Sequence, residues 1–131
     1  MGLAGIALVA ASLAGGAASV LVGVNTWSDA WTAEATLAAP WPMLLLQGAA
    51  TWTAVQRHRT LATVGTAVLG LTAAVAGISG FFDGQLGRAD LGAGYVVAQT
   101  GYVIVAWTTV AVVTARLVGL ARFRRGPRSR S

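Results

Sequence analysis

Residues 61–81 read LATVGTAVLGLTAAVAGISGF, 21 positions without one ionisable side chain. A helix needs about 20 mostly apolar residues to cross the hydrocarbon core of a bilayer. The stretch is preceded by Arg57-His58-Arg59 and followed by Phe82-Asp83-Gly84, so its ends are polar. Three further segments share this character. They cover residues 3–24, 36–55 and 92–120, and none carries an ionised group near its middle. Inside lipid every backbone N–H and C=O must be bonded internally, which only helices and closed barrels achieve. A barrel needs segments of about ten residues with alternating polarity, and these are absent. The sequence therefore predicts an all-α membrane protein. A four-transmembrane-helix bundle occupies residues 1–121, and a basic tail occupies 122–131.

Composition agrees. Of 131 residues, 56% are hydrophobic and 10% charged, with mean hydropathy +0.69. A soluble domain carries about a quarter charged residues. Disorder needs the opposite balance. The net charge of +5 does not indicate nucleic acid, because the arginines flank apolar runs rather than forming a patch. With no Cys, disulfides and thiolate metal sites are excluded. The basic residues are all Arg, which with the Ala and Gly content suggests a bacterial plasma membrane. The first span lacks a basic n-region and exceeds a typical signal core, so it is expected to be retained.

Charge also sets direction. Arg57 and Arg59 lie in the second loop, and Arg116, Arg122, Arg124, Arg125, Arg128 and Arg130 at or beyond the end of the fourth span. The acids Asp29, Glu34, Asp83 and Asp90 lie in the first and third loops, with Arg88 as the one base there. The positive-inside rule places the second loop and both chain ends in the cytoplasm. The tail is an ordinary topology anchor drawn to anionic headgroups; its sharper alternative is a docking site for an acidic partner.

Small residues let membrane helices approach closely. Ser12, Gly16, Ser19 and Gly23 form one such face in the first span. Thr63, Thr66, Gly70, Ala73, Gly77 and Gly80 form another in the third. The fourth span carries Tyr95, Gln99, Tyr102, Ala106, Thr109, Val113 and Arg116 at the three-and-four spacing of a single helix face. Leu44, Gln47, Thr51, Ala54 and His58 make a partial match in the second. An amide in hydrocarbon is costly unless bonded, so both stripes are expected to face the bundle interior as a polar seam. Gln47 lies near mid-span and Gln99 near the outer end, so the two need not meet.

Trp27, Trp31 and Trp41 gather at the outer rim, where aromatic residues commonly form a belt. They equally suit the mouth of a site whose polar contacts are Gln47, Gln99 and Tyr102. Trp27 and Trp31 share a face if the first loop is a short interfacial helix, and Pro42 permits a bend at the start of the second span. Glu34 and Asp83 lie closest to the membrane surface and are the candidate acid–base pair. Their ordinary roles are helix-dipole stabilisation for Glu34 and a turn for Asp83. His58 is the one histidine, so no multi-histidine metal site and no bis-histidine haem is expected. The expected partners are the bilayer, a lipophilic small molecule, and a partner membrane protein or second copy; no cofactor is expected. Three function classes follow: binding or conversion of a lipophilic molecule, a non-catalytic subunit or scaffold, and an oligomeric pore. The pore is weakest, because intramembrane charge is the usual mark of an ion path.

Overall fold

The computed structural model describes residues 1–32, 38–82 and 89–124. Four helices follow in order: α1 (Gly2–Leu21), α2 (Trp41–Ala54), α3 (Arg59–Phe82) and α4 (Ala93–Arg124), with one 3-10 turn at Ala89–Leu91. Each helix packs on its chain neighbours and α4 closes on α1, so α1/α3 and α2/α4 are the diagonal pairs. The α1–α2 joint is the least extensive of the four. Neighbouring helices run antiparallel, as paired contacts such as Gly5–Thr51 with Gly2–Val55 and Gly70–Val113 with Gly80–Val103 show. Met1, the Val55–His58 turn and the end of α4 therefore share one end of the bundle, here the basic end. Trp27, Trp31 and Trp41 share the other.

Glycine contacts fix the register. Gly5 of α1 faces Thr51 of α2, and Gly2 faces Val55. Gly70, Gly77 and Gly80 of α3 meet Val113, Trp107 and Val103 of α4 in turn. The small-residue stripe anticipated in the third span is thus the surface on which α4 lies. Gly65 brings α3 against the α2 backbone: a Cβ there would stand 2.6 Å from the Ala54 nitrogen and 2.8 Å from the Ala50 oxygen. The core between these contacts holds Leu8, Leu69, Ala73, Ala76, Ala106 and Val113. Many large apolar side chains point outward instead, among them Leu3, Leu45, Leu71, Val97 and Ile104. Three helices, α1, α3 and α4, are long and apolar enough to cross a membrane.

Three helix ends differ from the sequence expectation. The first helix stops at Leu21 rather than near 24, because Gly23 takes φ +73° and closes a Schellman motif. There Val24 N–H donates to the Ser19 carbonyl and Gly23 N–H to that of Val20. The second helix starts at Trp41, not 36, and has only 14 residues, about 21 Å at 1.5 Å per residue. Pro40 is extended at φ −55°, ψ 151°, and a proline pushes the residue before it out of the helical region. Residues 36 and 37 of the anticipated span lie outside the described residues, as do 125–131 of the tail. The fourth helix runs on through Arg124, into the stretch anticipated as tail.

Gly65→Ala should lower stability by about 1–3 kcal/mol, since the neighbouring backbone cannot move aside cheaply. Gly101→Ala, where an added Cβ meets nothing, should be neutral or raise stability by up to ~1 kcal/mol. Thermal unfolding of the two purified variants measures the difference; equal effects would contradict the tight α2–α3 approach.

Candidate functional site

The first loop does not stand away from the bundle. Thr26 starts a tight turn: Asp29 and Ala30 N–H both donate to its carbonyl, and its hydroxyl donates to the Asp29 carboxylate. This turn replaces the interfacial helix considered from the sequence, yet it brings the two indoles together. The Trp27 and Trp31 ring centroids are 6.0 Å apart, and those of Trp31 and Trp41 are 5.8 Å apart. Trp31 is the centre of this tier. Its ring presses onto Gly16 of α1, where any Cβ would collide with the indole. Its carbonyl accepts the Trp41 N–H at 2.9 Å, tying the loop to the start of α2. Its indole N–H is buried and has no acceptor among the described residues.

Beneath the tier, Ala38 and Ala39 are buried although they belong to no helix. Backbone exposed to an apolar interior needs a partner. Ala39 N–H finds one in Ser12 Oγ at 2.6 Å, a side chain fully buried in the middle of α1. From the sequence Ser12 is only one member of a small-residue stripe. The feature that singles it out, an extended Ala-Ala-Pro segment arriving opposite it, is tertiary and has no local signal.

The polar stripe of α4 is buried from Tyr95 through Gln99, Tyr102, Ala106 and Thr109 to Val113, and Arg116 is half-buried. Leu44, Gln47 and Ala54 of α2 are buried too, Thr51 is half-buried and His58 is exposed. The buried threonines bond to their own helices: Thr66 to the Ala62 carbonyl at 2.6 Å and Thr109 to that of Val105 at 2.8 Å. Gln99 and Tyr102 each have an interaction partner. Gln47 stands apart. It is 0% exposed, and neither its amide nitrogen nor its amide oxygen has a partner among the described residues. The Thr51 hydroxyl bonds to the Gln47 backbone carbonyl, not to its side chain.

The helix register separates the polar groups. Thr51 faces Gly5, so Gln47, one turn further along α2, is level with Val9 of α1. Through Gly65 and Gly70 that level corresponds to Val113 of α4. Gln99 lies 14 residues away along α4, ~20 Å towards the tryptophan end. The structure thus places Gln99 and Tyr102 in the tryptophan half of the bundle and Gln47 nearer its middle, with the tryptophan tier about 10 Å beyond Gln47 along α2. Glu34 and Asp83 lie outside the described residues, as does Arg88. Among the described residues no group of three His, Cys, Asp or Glu side chains could hold a metal ion.

No protein-family model, curated protein or solved structure matches the chain.

Ser12→Ala should cost about 1–3 kcal/mol, the penalty for a buried donor left unsatisfied. It should also shift tryptophan emission to the red, because Trp31 and Trp41 lose the anchor below them. An unshifted spectrum with unchanged stability would show that the loop does not depend on this bond.

Proposed function

We propose that this chain is a polytopic membrane protein of a bacterial plasma membrane, with both ends cytoplasmic. In this proposal it binds a lipophilic small molecule that carries a hydrogen-bonding group. Gln47 carries the reading. An unbonded amide sealed in an apolar bundle costs several kcal/mol relative to water. Leu or Met would fill the same volume without that penalty. The donor–acceptor pair suits a carbonyl or hydroxyl brought in by a guest. Trp27, Trp31 and Trp41 form its mouth, and Gln99 and Tyr102 on the diagonal helix lie further towards the same end, where they meet the guest before it passes the tier. The unsatisfied Trp31 N–H supplies a second donor on the way. Glu34 and Asp83, two positions after Thr32 and one after Phe82 in the sequence, are the residues to examine for proton transfer if the guest is converted rather than held.

The membrane reading rests on the three spanning-length helices and on the outward-facing apolar side chains. In it, the Ala38–Pro40 segment and the tryptophan tier fill the width that the short α2 leaves uncovered. Irregular backbone is tolerated at membrane depth only where protein covers it, and the Ser12 bond meets that condition. The charge map gives the direction: Arg57, Arg59, Arg116 and Arg122 gather at one end, Asp29 and Asp90 at the other.

One observation favours the second reading, a non-catalytic subunit. The α1–α2 joint is the least extensive of the four and leaves an apolar groove on its outer side, a surface that a partner helix would cover.

Gln47→Leu separates the possibilities. Solvent extracts of the protein purified in mild detergent should contain a stoichiometric small molecule, and the variant should lose most of it while keeping or gaining thermal stability. Undiminished ligand content in the stabilised variant would sink the proposal. For topology, single cysteines placed at Asp29 and His58 should react with a membrane-impermeant reagent from opposite sides; labelling from one side would overturn the four-crossing arrangement.

A further inference from the structure

A groove of about 520 Å³ runs along the outer side of the α1–α2 joint in the basic half of the bundle. Ile6, Val9 and Leu13 form its α1 wall; Gly48, Trp52 and Val55 form the α2 side. It lies in the opposite half from the tryptophan tier and involves none of the residues assigned above to ligand binding. Its surface is almost wholly apolar, because the Thr51 hydroxyl is already given to the Gln47 carbonyl at 2.7 Å. Trp52 stands 69% exposed along one edge. An added Cβ at Gly48 would meet nothing within 4 Å, so there is open space above the floor at that point.

The groove ends in charge. Val55 lines it, and two residues later the chain turns through Arg57, His58 and Arg59, all exposed. Arg122 of α4 reaches the same end. A long apolar slot closed by a cationic turn is complementary to an anionic amphiphile. We infer that the groove holds one acyl chain of an anionic phospholipid, whose phosphate is met by Arg57 and Arg59. A second copy of this chain fits less well. Helices paired side by side in one membrane would bring two sets of these arginines to the same level, and like charges at that range repel.

The inference rests on the membrane reading alone and not on the Gln47 ligand. Its test is native mass spectrometry of protein released from nanodiscs of phosphatidylcholine mixed with phosphatidylglycerol. The wild type should retain one phosphatidylglycerol in preference to phosphatidylcholine by ~25-fold, about fivefold for each arginine near the surface. Arg57→Gln with Arg59→Gln should bring that preference close to one while a lipid is still retained. Gly48→Leu, whose Cβ meets nothing within 4 Å, puts a side chain into the slot and should abolish retention of either lipid. Equal retention of the two lipids by the wild type would overturn the inference, as would full retention in Gly48→Leu. A dimer mass lost in Gly48→Leu would overturn it in favour of a second copy. A chain that washes off membranes in alkaline carbonate would overturn the membrane reading as well. One that stays embedded without selecting phosphatidylglycerol would overturn the groove assignment only.

Discussion

The bond from Ala39 N–H to Ser12 Oγ governs how this bundle is put together. Three of its helices satisfy their own backbone along their length. The second begins late, and the chain before it lies extended and buried beside α1. A buried amide without an acceptor would be a standing penalty, and one serine in the middle of α1 removes it. Once that segment is held, Pro40 can end it, Trp41 can open α2, and the Trp41 N–H can bond back to Trp31. The tryptophan tier is therefore a consequence of where the second helix starts.

The other organising constraint is closeness. Gly5, Gly16, Gly65 and Gly70 each face a side chain or backbone that leaves no space for a Cβ. In the membrane setting proposed above, association relies on such contact rather than on hydrophobic burial. The α1–α2 joint departs from this pattern. It is tight at Gly5 and open on its outer side, and the apolar groove lies there. Ser19, Thr66, Thr72 and Thr109 are silent because each hydroxyl returns to its own helix. Gln47 differs from them in that neither end of its amide has a partner among the described residues.

Much of this was legible in the sequence, for identifiable reasons. The third and fourth helices follow from long apolar runs with a strong stripe at helical spacing, and the stripe from Tyr95 to Val113 is buried position by position. The grouping of Trp27, Trp31 and Trp41 was legible because they flank the same short loop. Other features depend on tertiary meetings that leave no periodic trace. The late start of α2 follows from Pro40 acting on its predecessor, yet Ala and Leu before it read as helix. The role of Ser12 depends on a segment 27 residues away. The groove runs over Gly48, one glycine among 17 in the chain. The separation of Gln47 from Gln99 was legible from their places within their spans, and the register of α3 sets its size.

The most direct test is amide hydrogen exchange at Ala39, followed by NMR in lipid nanodiscs. A residue outside any helix, in a loop of ordinary exposure, exchanges quickly. The arrangement described here predicts that Ala39 exchanges as slowly as amides in the middle of α1, such as Gly15. Exchange at Ala39 as fast as at Ser28 in the exposed turn would show that the segment is not held against Ser12, and would contradict the account at its base.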